Sequence, residues 1–293
     1  MNVIDDMLNT NNNSSSYNKK SNNKNSKWLE EQNKMRKWCY DNMNDMAIKL
    51  KNDGNILKQY LDIQARFEKY SSGNSLLILK QNPNATYFKD KKGWEEDGVS
   101  LVATPNKIII LEPTKSNEQT YFNPKEEYDI TQTNAKPTEK NPYNVRKVLE
   151  GIVYNCYANI KPVDELPDNQ GLAHYNKEEN VLYISRGMDV KQLFQVLSYY
   201  MADIEMRNQE DSNYKQFKNQ CISYMLCKRY QIDAPNYSFS EIPQEISQLD
   251  DGKAIRKELE NIRINFETID ERLLEGIEKN TKTKQDKKKE QER

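Results

Sequence analysis

The chain has 293 residues, with 44 lysines and arginines against 45 aspartates and glutamates, and a formal net charge of −1. This length predicts about two domains. Because the protein as a whole is not a polycation, any contact with nucleic acid must come from a local patch. No apolar run approaches the roughly 20 residues that span a bilayer, so we expect no membrane contact.

The chain has four cysteines: Cys39, Cys156, Cys221 and Cys227. They show neither a CxxC pair nor the spacing of metal ligands, so we expect reduced and mostly buried thiols. Residues 1–10 lack the basic start and apolar core of a signal peptide. Together these features favour a cytoplasmic location.

The first quarter of the chain predicts a polar tail followed by two helices. Asn, Ser and Lys dominate residues 9–25, so we expect a disordered tail over residues 1–27. Apolar residues then recur at helical spacing from Trp28 to Leu50. Asp53-Gly54 ends that pattern, and a second helix is expected from Ile56 to Tyr70.

Aromatic and basic residues crowd the stretch from Tyr87 to Trp94. Tyrosine and tryptophan offer flat faces on which bases stack, and lysines neutralise phosphates. The alternative is a β-hairpin with core aromatics and solvated lysines, and the acids at 95–97 argue against a simple basic patch. Two short strands, 99–101 and 108–111, are expected around a turn.

Residues 116–127 form a polar insertion, with a short strand at Tyr121-Phe122 and another at 128–130. Residues 134–142 carry two prolines and alternating charge, which predicts a linker and a domain boundary. Further elements follow: a helix from Val145 to about Cys156, a strand over 181–185, a helix from Val190 to about Arg207 capped by Asp189, and a helix over about 214–230.

The segment from Ala254 to Lys279 predicts a long amphipathic helix. Its apolar positions step by three or four residues and are Ile255, Leu259, Ile262, Phe266, Ile269, Leu273 and Ile277. We favour packing of this seam on the protein body over pairing with a partner helix. Residues 281–293 are expected to form a charged, frayed tail.

The stretch from Gln64 to Glu112 resembles the N-terminal domain of ArdC-like antirestriction proteins and of LtrC-like proteins of conjugative elements. The matching motifs are Arg66-Phe67, Tyr70-Ser71, Asn74, Leu76–Leu79, Gln81, Pro83, Ala85-Thr86, Gly93-Trp94 and, downstream, Tyr128–Thr133. The resemblance implies sequence-independent binding of single-stranded DNA. The residues expected to contact it are Tyr70, Asn74, Tyr87, Lys89, Lys91, Lys92, Trp94 and Lys107.

The second half resembles the zincin-like metallopeptidase domain of the same family, through residues 182–195, Ala202, 224–227 and 237–239. That family carries HExxH, in which two histidines bind zinc and the glutamate polarises water. At the corresponding positions this chain has Tyr199, Tyr200 and Asp203, and the third ligand's place falls at about Gln220. His174 is the only histidine, so HExxH cannot exist here, and we expect no metal, no cofactor and no catalysis.

These observations predict an α+β fold. The expected segments are a tail (1–27), a DNA-binding domain (28–134), a linker (135–143), a degenerate zincin-like domain (144–248), a C-terminal helix (249–280) and a charged tail (281–293). The leading hypothesis is a single-stranded-DNA-binding accessory protein of a mobile element. Two others remain open: a pseudo-enzyme scaffold that binds protein partners through the old cleft or the helix at 255–277, and a metallopeptidase with an unrecognised site.

Overall fold

The computed structural model describes residues 18–116, 119–136, 143–167, 171–233 and 237–291. It has a mixed α+β fold, as predicted. Its helices are α1 (Asn18–Leu50), α2 (Gly54–Arg66), α3 (Ser72–Gln81), α4 (Lys91–Glu96), α5 (Val145–Ile152), α6 (Val190–Glu205), α7 (Asn213–Arg229), α8 (Gln244–Ser247) and α9 (Gly252–Gln291). In the described ranges, none of them has the length and apolarity needed to cross a membrane.

Six strands form two three-stranded sheets. They are β1 (Phe88–Lys89), β2 (Ile108–Ser116), β3 (Gln119–Asp129), β4 (Asn159–Val163), β5 (Ala173–Asn176) and β6 (Val181–Ser185). The first sheet has the order β1-β3-β2 and is antiparallel. In the second, β6 pairs in parallel with β4 and antiparallel with β5. The strand predicted over 181–185 is therefore confirmed.

Both terminal helices extend beyond their predicted ends. α1 begins at Asn18, so the predicted tail is wrong from that residue onward, and residues 1–17 lie outside the described part. α9 continues to Gln291, through most of the predicted frayed tail. Extending an existing helix adds one hydrogen bond per residue without a new nucleation cost, so polar segments can continue it.

The predicted polar insertion is a two-stranded arm. β2 and β3 pair continuously from Ile108↔Glu127 to Ser116↔Gln119. The separate strands expected at 121–122 and 128–130 are parts of β3, and the strand expected over 99–101 reduces to a bridge between Leu101 and Thr133. The arm was missed because side chains on both of its faces are exposed near the tip, which removes the alternation that identifies a half-buried strand.

α9 joins the two halves of the chain. It packs against α1, α3, α5, α6 and α7, and six of the seven seam residues, Ile255 to Leu273, are buried in one core that runs across the predicted domain boundary. Gly151 of α5 allows a close approach, since a Cβ there would lie 2.6 Å from the Leu273 carbonyl oxygen. The expectation that the helix packs on the body is confirmed. The chain's own helices cover the seam from Ile255 to Leu273, and a protein partner elsewhere on the helix stays a prediction.

Candidate functional sites

The aromatic pair of the predicted DNA surface is only half exposed. Tyr87 is 47% exposed, whereas Trp94 is 2% exposed. The two rings meet edge to face with centroids 5.6 Å apart, and the Trp94 indole N–H donates to the Tyr128 carbonyl at 2.9 Å. Asp90 caps the short α4 and fixes this packing. Burial therefore leaves Trp94 no open face for a base, and Tyr87 alone of the pair retains one.

Asn74 is buried, and Tyr70 is half-buried against the core. The Asn74 amide donates to the Leu111 carbonyl at 2.9 Å and accepts from the Leu111 N–H at 2.8 Å, which ties α3 to β2. Tyr70 packs against Phe67 and Phe88, and burial raises the pKa of its hydroxyl to about 12. Both side chains therefore help to hold the fold together. The family motif did not predict this, because the spacing of its residues carries no information on burial.

Each lysine of the predicted surface has a carboxylate partner. Lys91 and Lys92 pair with Glu95 and Glu96 one helical turn on, at 3.8 Å and 3.3 Å. Lys107 pairs with Glu126 at 2.6 Å, and Lys89 pairs with Asp97. The acids that follow Trp94 in the sequence thus neutralise the patch, and a phosphate would have to displace them.

A cavity of about 380 Å³ opens between α1, α3, α9 and the β2–β3 arm. Its lining residues are Tyr40, Met43, Ser71, Ser72, Gly73, Leu111, Phe122, Lys253, Arg256, Lys257 and Glu260. We call it the arm pocket. Met43 and Leu111 are buried at its base, and Phe122 is 44% exposed at its rim. The sequence interpretation missed it, because Tyr40, Phe122 and Lys253 are far apart in the chain and no local pattern joins them.

Three cationic side chains line the arm pocket: Lys253, Arg256 and Lys257. Within the described ranges, none has a carboxylate within 4.0 Å. The Arg256 Nε instead donates to the Asn44 side-chain oxygen at 3.1 Å, and Asp251 acts on this guanidinium only at longer range. Their spacing of three and four residues places them on one face of α9, a signal present in the sequence.

Glu260 is the acid in the lining of the arm pocket. It accepts from the Ser72 N–H at 2.7 Å and from the Arg263 Nε at 2.7 Å. Since its oxygens bind α3 and an arginine outside the lining, it forms no ion pair with the three cations. The pocket therefore combines an apolar base with three cations that are not in ion pairs.

A second cavity, of about 390 Å³, lies between β5, α6 and α7 and includes the positions predicted to correspond to HExxH. We call it the tyrosine pocket. Its lining residues are His174, Tyr175, Lys177, Tyr199, Tyr200, Asp203, Asp211, Ser212, Lys215 and Gln216. The Tyr200 hydroxyl donates to the Ala173 carbonyl at 2.5 Å, and the Tyr199 ring lies edge to face against Tyr200.

Lys215 is the central cation of the tyrosine pocket, and only 2% of it is exposed. Its ammonium lies 2.7 Å from Asp203 and 3.3 Å from Asp211. The Asn219 amide also donates to Asp203 at 3.1 Å. Gln220 is exposed and absent from the lining, so the expected third-ligand position is wrong: on α7 the residues that face α6 are 215 and 219, and residue 220 is rotated by about 100° from 219.

A divalent metal does not fit the tyrosine pocket as these side chains are arranged. Asp203, the carboxylate at the position of the second histidine, already accepts from Lys215 and Asn219. In the part of the chain that the structure describes, no group of three or more His, Cys, Asp or Glu side chains could hold a metal ion. Phenols are weak ligands near neutral pH because their pKa is about 10, and burial raises the pKa of Tyr199 further.

No protein-family model and no curated protein matches the chain. Among solved structures, it is similar to the Mn(II)-bound antirestriction ArdC protein of plasmid R388, with 12% identity and a TM-score of 0.50. The match covers 81% of this chain and 97% of that one. At this level of identity the similarity shows the fold alone, and the chain has an ArdC-like fold.

Proposed function

We propose that this protein is an antirestriction-like accessory protein of a mobile element that binds single-stranded DNA without sequence preference. The observation that carries the proposal is the arm pocket, where Lys253, Arg256 and Lys257 lack carboxylate partners beside the aromatic rings of Tyr40 and Phe122. Cations that track phosphates and rings that stack on bases are the two parts of a sequence-tolerant single-strand site. The fold shared with an antirestriction protein supports the biological setting.

The local charge resolves the difficulty posed by a net charge of −1. The net charge gives no protein-wide attraction to DNA, but three close cations outside any ion pair release condensed ions from a strand as they bind it. Tyr87 and the lysines at 89, 91, 92 and 107 remain a predicted second contact. Because those lysines are paired with acids, we propose that they contribute less to the binding free energy than the arm pocket does.

We also propose that the metallopeptidase-like half is catalytically inactive. Support comes from the Lys215 ammonium, which occupies the Asp203 carboxylate that a metal would need. Elemental analysis of purified protein tests this, and we expect zinc and manganese far below one equivalent per chain. A stoichiometric metal that resists dialysis, or peptide hydrolysis that a chelator abolishes, would instead establish an unrecognised site.

The DNA proposal is tested by fluorescence anisotropy with labelled 30-nucleotide strands of mixed sequence and of thymine alone. We expect both to bind at about 50 mM salt and to weaken steeply by about 200 mM. A duplex of the same mixed sequence is the matched control and should bind more weakly. The proposal fails if no single strand binds at the lower salt concentration.

A further inference from the structure

The arm pocket is floored by a rigid apolar surface. Met43 and Leu111 belong to a small buried cluster with Cys39 and Leu77, on which Tyr40 also packs. This cluster is separate from the main core and joins α1, α3 and β2. The pocket therefore does not need to form on binding, and its volume of about 380 Å³ lies in the range of small-molecule sites.

Hydrogen bonds from α1 hold the backbone at Phe122, whose ring lies at the rim of the pocket. The Arg36 guanidinium donates to the Phe122 carbonyl at 2.8 Å and to the Asn123 side chain at 2.9 Å. These bonds tie β3 to α1 next to the pocket. An anchored backbone loses little conformational freedom when a ligand contacts the Phe122 ring, which favours binding.

Resting on the proposed function, we infer that the arm pocket seats one unstacked nucleobase of a single strand, with the flanking phosphates on Lys253, Arg256 and Lys257. A base supplies the flat apolar ring that fits Tyr40, Met43 and Phe122, and its phosphates supply the negative charge that the three cations lack.

The same geometry predicts that an unpaired strand binds more tightly than a duplex. A base in a duplex is stacked and paired, and it must be extruded before it can enter a pocket. A single strand does not have that cost. An acidic peptide matches the cations as well, but it lacks regularly spaced flat rings beside its charges and therefore uses only half of the site.

Phe122→Ala and Tyr121→Ala form a matched pair that tests the inference. The two residues are neighbours on β3, similarly exposed at 44% and 48%, and side chains of adjacent strand residues point to opposite faces. We expect Phe122→Ala to weaken binding of a thymine 30-mer about tenfold, and Tyr121→Ala to weaken it less than about twofold. Urea unfolding of both variants verifies that each is folded.

A strand with abasic sites in place of its central bases provides the second measurement. The wild type should lose about tenfold in affinity for it, and Phe122→Ala should lose almost nothing further, because the same contact is already absent. If the wild type binds single strands and the two variants behave alike, the base pocket is wrong while the proposed function survives. If the wild type binds no single strand, both fail.

Discussion

The arm pocket and the tyrosine pocket have almost the same volume, about 380 Å³ and 390 Å³, but they differ in whether their cations form ion pairs. In the tyrosine pocket, buried Lys215 contacts two carboxylates. In the arm pocket, Lys253 and Lys257 are exposed and have no such partner among the described residues. A buried cation that loses its partner destabilises a fold, so both members of such a pair are fixed in place, whereas an unpaired cation next to an apolar surface remains available to a ligand. The pairing of charges, more than the presence of lysine, separates a structural cluster from a candidate binding site.

The largest expected effect comes from breaking the internal charge cluster of the tyrosine pocket. Lys215→Met leaves Asp203 without its cation, and removing one member of a buried pair costs about 3–5 kcal/mol of unfolding free energy. Urea denaturation measures this loss. Lys177→Met is the matched control, since Lys177 pairs with the same Asp211 at a more exposed position and its removal should cost less than about 1 kcal/mol.

The double variant Lys215→Met/Asp203→Asn sharpens this prediction. Neutralising Asp203 removes the uncompensated charge, so the double variant should be more stable than Lys215→Met alone. Equal stability of Lys215→Met and the wild type would mean that the contact in the tyrosine pocket does not hold the fold together.

Asn74→Ala tests whether a predicted DNA contact is structural. Its amide satisfies the N–H and the carbonyl of Leu111, and leaving both groups unpaired costs about 2–3 kcal/mol of unfolding free energy. The affinity of the folded fraction for single strands should stay within about twofold of the wild type. A large loss of affinity with unchanged stability would restore Asn74 as a ligand-binding residue.

The smallest expected effect concerns the exposed side of the tyrosine pocket. A hydrogen bond from Lys177 and the nearby Lys215 lower the pKa of Asp211 below its ordinary 3.8. A lowered carboxyl pKa stabilises the fold above the unfolded value, and that contribution disappears as pH falls through the folded pKa. The stability difference between wild type and Asp211→Asn should therefore be below about 1 kcal/mol at neutral pH and should vanish as the pH falls through the lowered pKa of Asp211. A difference that grows with acidity would contradict this assignment.

Local patterns predicted the elements that local chemistry determines. The Asp189 side chain accepts from the N–H groups of Lys191 and Gln192 and begins α6 where the sequence placed it. The seam from Ile255 to Leu273 is buried as its periodicity indicated. In both cases the determining residues lie within a few turns of one another.

The sites depended on contacts that no local pattern records. Trp94 is buried because β3, more than 30 residues downstream, supplies the Tyr128 carbonyl. The arm pocket needs α1, the β2–β3 arm and α9 together. Nothing in the local sequence distinguishes Lys215 from the other lysines of its helix, and only the packing of α7 on α6 brings it to Asp203. The predicted surface from Tyr87 to Trp94 and the arm pocket therefore require a direct comparison.

That comparison is best made by measuring how single-strand affinity depends on salt for two double variants. Lys253→Gln/Lys257→Gln removes exposed lysines without acid partners, and Lys91→Gln/Lys92→Gln removes exposed helical lysines that have them. We predict that the first pair lowers affinity about tenfold and reduces the slope of log affinity against log salt by about 1.4, because each phosphate contact contributes about 0.7. The second pair should leave the slope unchanged. The opposite ranking would contradict the assignment of binding to the arm pocket.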